Sequence, residues 1–314
     1  KSAIIKVALN FILITFLLLT HPSHVLILTA RYILIISPPS THVDITDNHF
    51  HLDPRGRQNL AVRDFLKAGG SRLVLVHKPY SSWNNLNGFI GEINTTLRLA
   101  KKAREEGAKV AVVASPHPIE LLHLSEKFTL EKSQELYLDC VNYCAKLVSE
   151  NKLVGLGELG RPHFPVEDNV WNFSNETLSK SLQIAKDVDA AVVLHTESAD
   201  SSVMKDLSSI ADKSSFPKER LVKHYGGPAA LENNHGLQVS ILASKSNVTS
   251  STKLKSPFMM ETDYLDDPNR PGAVLGPKTV PKRTKIAIEN NLIDEKLAYQ
   301  IHEILPNLVY RTFS

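Results

Sequence analysis

Two imidazoles and a carboxylate stand at alternate positions of the run Asp47-Asn48-His49-Phe50-His51. Residues i, i+2 and i+4 of a β-strand face one side of the sheet, so the spacing predicts Asp47, His49 and His51 converging on one volume. Imidazole is the commonest metal ligand among side chains, and a His pair beside a carboxylate suits Zn²⁺, Mn²⁺ or Fe²⁺. The pattern alone also describes a strand end with hydrogen-bonded histidines. Asp47 reads either as a group that orients an imidazole or as a cap at strand entry.

The same residue types recur at the ends of other apolar runs. His77-Lys78 closes the second run, Ser115-Pro116-His117 the third, and Gly157-Glu158-Leu159-Gly160-Arg161-Pro162-His163 the fourth. His195-Thr196-Glu197 closes the fifth, Lys223-His224 the sixth and Glu261-Thr262-Asp263 the eighth. One such ending is a turn or a satisfied core group. Recurrence at the first, fourth, fifth, sixth and eighth runs points to a polynuclear metal site.

Such residues need elements to hold them at one end of a common scaffold. From Asp44 onward, short β-rich runs alternate with longer amphipathic stretches, the pattern of βα units around a parallel sheet. Strands are predicted over Ile45–His51, Arg72–Lys78, Lys109–Ser115, Leu153–Glu158, Ala190–Thr196, Arg220–His224, Leu237–Leu242 and Phe258–Asp263. Helices are predicted over Asn59–Ala68, Ile93–Glu106, Leu130–Ser149, Asn175–Val188 and Met204–Lys213, with weaker patterns over Gly226–Gly236 and Ser244–Pro257. Eight such units predict an α/β fold, a (β/α)₈ TIM barrel with its active site at the C-terminal ends of the strands.

The order of HxH, Gly157-Glu158-Leu159-Gly160, strand-end His195, strand-end His224 and Glu261-Thr262-Asp263 resembles the TatD family of metal-dependent hydrolases in the amidohydrolase superfamily. The resemblance runs from Asp44 to about Tyr310, and Arg161-Pro162-His163 with Asp267-Pro268-Asn269-Arg270-Pro271-Gly272 looks most like its archaeal branch. It implies two divalent metal ions, Zn, Mn or Mg. His49, His51 and Asp263 would hold the first, Glu158 would bridge, and His195 and His224 would hold the second. Asp263 would also serve as general base, and Glu158 joins it as a catalytic residue.

The chain departs from the better-known TatD nucleases, which continue Gly-Glu-Leu-Gly with Leu-Asp where Arg161-Pro162 stands here. A fixed cation beside Glu158 favours an anionic ligand. Arg161 and His163 are therefore expected against the substrate, with a structural salt bridge as the other reading of Arg161. His117, in Pro116-His117-Pro118, matches the family's His-Pro after the third strand and joins them as a substrate-side or structural residue.

Composition bounds the rest. The 314 residues are 42% hydrophobic and 22% charged, with a formal charge of +3. Lys1, Lys6 and Arg31 supply that excess, because no acidic residue precedes Asp44. A neutral body carries no general basic coat for nucleic acid. Cys140 and Cys144, four apart in a helical pattern, read as free thiols in a reducing compartment, hence a cytoplasmic location. Residues 1–43 form an apolar extension, read as a wrongly extended start, a signal or anchor, or an interfacial hairpin, and 44–314 as the hydrolase barrel. A membrane partner enters only if that extension is genuine, and no obligatory protein partner is evident. The leading function is two-metal cleavage of a phosphodiester, with a nucleic-acid end or a small anionic molecule as substrate. Hydrolysis of an amide, lactone or ester is the alternative, and metal binding without turnover is the reading from another class.

Overall fold

A computed structural model describes residues 43–254 and 256–312 of the chain. The expectations for the apolar N-terminal extension fall on residues outside the described ones, Val43 excepted. Strands β1 (Ile45–His51), β2 (Gly70–Val76), β3 (Lys109–Val113), β4 (Gly155–Gly160), β5 (Ala191–His195), β6 (Leu221–Lys223), β7 (Gln238–Leu242) and β8 (Met259–Glu261) pair in sequence order, all parallel. A ninth, β9 (Tyr264–Leu265), pairs with β1 through Phe50↔Tyr264 and His51↔Leu265 and brings the ring nearly to closure. Helices lie between the strands, which makes this the expected TIM barrel.

The run expected as one last strand is two. Thr262 and Asp263 interrupt it, and Asp263 takes a left-handed φ of 50°, a conformation that Asp tolerates better than most residues. The break turns the chain over the end of β1 and leaves the Asp263 carboxylate at the barrel mouth.

Both faces of a barrel strand are buried, which is why these runs read as continuous Val, Leu and Ala. Leu73 and Leu75 of β2 pack outward with Val112, Val192 and Leu194 against the helices. Val74 and Val76 of the same strand point inward with Val113, Val193, Val222 and Met259. Leu305, Val309 and Tyr310, from the helix Leu305–Tyr310, join that inner cluster. They close the N-terminal end of the barrel, where Thr46 N–H donates to His302 Nδ1 at 3.3 Å and Asp44 N–H to Glu303 Oε1 at 2.9 Å.

Leu130–Ser149 forms as predicted, capped by the Thr129 hydroxyl. The second long helix begins at Leu86, seven residues before the predicted Ile93, with Asn85 accepting from Gly88 N–H. Gly88 and Gly91 had diluted its periodicity. A helix at Pro118–Ser125 was not expected, and its cap is an imidazole, which lies outside the usual Ser/Thr/Asp/Asn signals. No helix among the described residues is long and apolar enough to cross a membrane.

Candidate metal centre

The site is built by two places where strand pairing slips. In β1, Asp47 pairs with Leu73 and Phe50 with Leu75, three steps against two. In β4, Leu156 pairs with Val192 and Leu159 with Leu194, again three against two. Bulges of this kind re-aim side chains beside active sites, and here they fall on Asn48-His49 and Gly157-Glu158.

The first bulge corrects the simple alternation expected for β1. His49 and His51 do meet, their Nε2 atoms 3.1 Å apart, but Asp47 is turned away from them. Its buried carboxylate accepts from Thr262 N–H at 2.9 Å and Thr262 Oγ1 at 2.7 Å. Burial pushes that carboxyl up to about 7 against these bonds. Asp47 therefore fastens β1 to the segment that carries Asp263.

Glu158 occupies the middle of the cluster. Its Oε1 lies 2.8 Å from His195 Nδ1, 2.9 Å from His224 Nε2 and 3.7 Å from His49 Nε2. Its Oε2 lies 3.9 Å from both His51 Nε2 and His117 Nε2. Asp263 Oδ1 stands 3.4 Å from His51 Nε2 and 3.9 Å from His49 Nε2. Burial opposes the charged carboxylate, yet His195, His224 and His49 hold Glu158 well below the usual carboxylate range.

These residues fit divalent cations. His51 donates its Nδ1–H to the Val76 carbonyl at 2.9 Å, which leaves a lone pair on Nε2 facing inward. His224 donates Nδ1–H to buried Glu261 at 3.2 Å, so its Nε2 lone pair points at a Glu158 oxygen. Two lone pairs at 2.9 Å require a cation or a proton between them. Burial works against charge on His224, but Glu158 and Glu261 push the ring up to about 10, so this position strongly favours a positive charge. His49, Glu158 and His224 form one group of converging ligand atoms, His49, His51 and Asp263 a second, and His117, Glu158 and His195 a third.

His117 differs from the others. Its Nδ1 accepts from Ile119 N–H at 3.1 Å as the cap of its helix, and burial drives the ring down to about 3. The neutral ring thus carries its proton on Nε2 and offers the site a donor, not a lone pair.

The two remaining expected substrate residues are placed otherwise. His163 is exposed at the rim, its Nδ1 3.0 Å from His195 Nε2. Arg161 is 1% exposed and directed away from the cluster. Its guanidinium binds both oxygens of Glu197, Asn175 Oδ1 at 3.0 Å and Asp206 Oδ2 at 2.5 Å, and lies 4.3 Å from the Trp171 ring centroid. Every nitrogen of its fork is engaged, so the substrate clamp expected from sequence gives way to the structural ion pair. Lys78 likewise is committed, to buried Asp53 at 2.6 Å. Sequence reading missed the roles of Glu261 and Thr262, although both were visible beside Asp263 at a strand end.

Residues 46–311 match the family model described as TatD related DNase. The chain is 37% identical over 264 residues to the uncharacterized protein MJ1127 of the archaeon Methanocaldococcus jannaschii, covering 82% of this chain and 92% of that one. Among solved structures it resembles the TatD homolog YjjV of Escherichia coli, with a TM-score of 0.61 at 18% identity, over 86% of this chain and 98% of that one. It also resembles the phosphotriesterase homology protein of Escherichia coli, solved with phosphate in its active site. There the TM-score is 0.58 at 10% identity, over 85% of this chain and 99% of that one.

Proposed function

The chain belongs to the family of TatD-related DNases, and from that premise we propose that it hydrolyses a phosphodiester on two divalent cations, with a nucleic-acid end or a small anionic diester as substrate. The observation that carries the reading is the convergence of His49, His51, His195 and His224 on the two oxygens of Glu158, with Asp263 beside them. His49, His51 and Asp263 would hold one cation and His195 and His224 the other, with Glu158 shared between them. Four imidazoles favour Zn²⁺ or Mn²⁺ over Mg²⁺. When bound, such a pair lowers the pKa of a shared water and polarises a phosphoryl oxygen.

The chain's own groups supply the rest. Asp263 is partly open to the mouth, and His51, His224 and His49 keep it ionised in spite of burial, so it orients the attacking water and takes its proton at Oδ1. His117 Nε2–H reaches toward the Glu158 side of the cluster and donates to a substrate oxygen. The buried free thiols Cys140 and Cys144 support a reducing, cytoplasmic setting.

The test is elemental analysis of the purified full chain followed by assay on a chromogenic phosphodiester, single-stranded DNA and a panel of lactones and carboxylic esters. Bound metal with turnover of a diester is expected. Turnover of lactones or esters alone would move the reading to acyl hydrolysis, and bound metal with no turnover would make this a metal-binding protein.

A further inference from the structure

We propose that His163 is a positioning residue for His195, accepting its Nε2–H and so committing Nδ1 of that ring to the cations; the inference rests on the reading of the cluster as a metal centre. His195 ends β5 with its two nitrogens facing opposite ways, Nδ1 to Glu158 Oε1 at 2.8 Å and Nε2 to His163 Nδ1 at 3.0 Å. A neutral imidazole has one proton, and a nitrogen that gives its lone pair to a cation cannot carry it. The proton of a ligating His195 therefore sits on Nε2 and is donated outward. Metal-bound histidines usually hand this second N–H to a carboxylate, a backbone carbonyl or water. Here the acceptor is another imidazole, whose own Nε2 is left to face the rim.

The loop that carries His163 is anchored more firmly than a rim loop needs for its own sake. Arg161 N–H donates to the His195 carbonyl at 3.2 Å, and its buried guanidinium grips Glu197, two residues beyond His195. Asn175 and Asp206 fix the other side of the fork. Pro162 restricts the one residue between that anchor and His163. The segment after β4 is thus tied to the segment after β5 through Arg161, two residues before His163. This gives the Arg161-Pro162-His163 departure a use: it supplies a fixed acceptor behind His195.

The experiment measures cation affinity of the full chain by competition with a chromogenic chelator, using Zn²⁺ and Mn²⁺, for wild type, His163→Ala, His163→Phe and His163→Asn. The Ala and Phe variants should bind one of two cations about 10–100-fold more weakly, the usual loss when such an outer partner is removed, with the melting temperature of the metal-free protein unchanged. Asn carries an acceptor oxygen near the position of Nδ1 and should restore most of the affinity. Wild-type affinity in the Ala and Phe variants would overturn the inference, as would an Asn variant as weak as Ala, which would make bulk the cause. A wild-type protein that binds neither cation would overturn the metal centre itself, and this inference with it.

Discussion

A Cβ built on Gly160 would stand 1.9 Å from the carbonyl oxygen of His195, so β4 and β5 approach at a separation that only hydrogen permits. Gly160 also has φ at +153°, which L side chains rarely adopt. Gly160→Ala should therefore push the end of β5 away and carry His195 with it. The expected outcome is reduced metal content, at least a tenfold loss of turnover, since misplacement by about 1 Å can cost a hundredfold, and a lower melting temperature. An Ala variant with full metal content and wild-type kinetics would show that the two strands can separate without moving the ligand.

Arg161 gives a second prediction. Removing one member of a buried ion pair leaves its partners uncompensated, at a cost of about 3 kcal/mol or more, although Asp206 is half open to water and recovers part of its solvation. Arg161→Met should lower the unfolding free energy by about 2–3 kcal/mol in denaturant titration. Lys should rescue only part of this, because an ammonium cannot span both oxygens of Glu197. Unchanged stability with a raised KM for an anionic substrate would restore the clamp that the sequence suggested.

The barrel was legible because its signal is additive: eight apolar runs alternate with helical stretches, and most of them end in His, Glu or Asp whatever the individual boundaries. The six ligand-type residues stood out for the same reason, and the structure brings them together. Asp47 and Arg161 were not, and for one physical cause. Type and spacing tell that a charged residue lies near a site, while its direction is decided by register and by partners distant in sequence. A bulge of one residue turned Asp47 to Thr262, and Glu197, Asp206 and Asn175, from the loop after β5 and two helices, captured Arg161. Helix Pro118–Ser125 escaped because its cap, His117, is not among the usual Ser/Thr/Asp/Asn capping residues.

Glu120 should impose a pH dependence on stability. Burial pushes its carboxyl up to about 8, against hydrogen bonds from His117 N–H and the Trp83 indole and with help from Glu92. A group whose folded pKa lies above its unfolded value near 4.5 stabilises fully below about 4.5 and loses that contribution as pH rises through about 8. Glu120→Gln is blind to pH at this position. Its melting temperature relative to wild type should therefore climb steadily from pH 5 to pH 8, whatever its constant offset. A difference that stays flat over that range would mean that Glu120 is ionised in the folded protein throughout.

The barrel should fold from Asp44 onward. The nine strands among the described residues and the helix that closes the barrel floor all lie within 44–314, and β1 is fixed at its start by His302 and Glu303. A chain of residues 44–314 is expected to be soluble, with the far-ultraviolet circular dichroism of an α/β protein and a cooperative melt. Aggregation of that chain beside a folded full-length protein would place residues 1–43 within the domain.

Asp263 and Glu158 are both carboxylates of the cluster, yet their replacement should fail in different ways. Glu158 faces three imidazole nitrogens through one oxygen and two through the other. In Glu158→Gln one of those oxygens becomes an NH₂ group, which has no lone pair for a cation and sets N–H bonds against lone pairs. Cation content should fall, and turnover with it. Asp263 lies at the edge, 3.4 Å from His51 and 3.9 Å from His49, and is partly open to the mouth. Asp263→Asn keeps a ligating oxygen but cannot accept a proton, so metal content should remain close to wild type while turnover drops by about 10²–10⁴, the range attached to loss of a general base. The readout is paired elemental analysis and single-turnover rate for both variants. If Asp263→Asn loses metal in step with Glu158→Gln, Asp263 is a ligand without a separate role in proton transfer, and the base has to be sought elsewhere at the mouth.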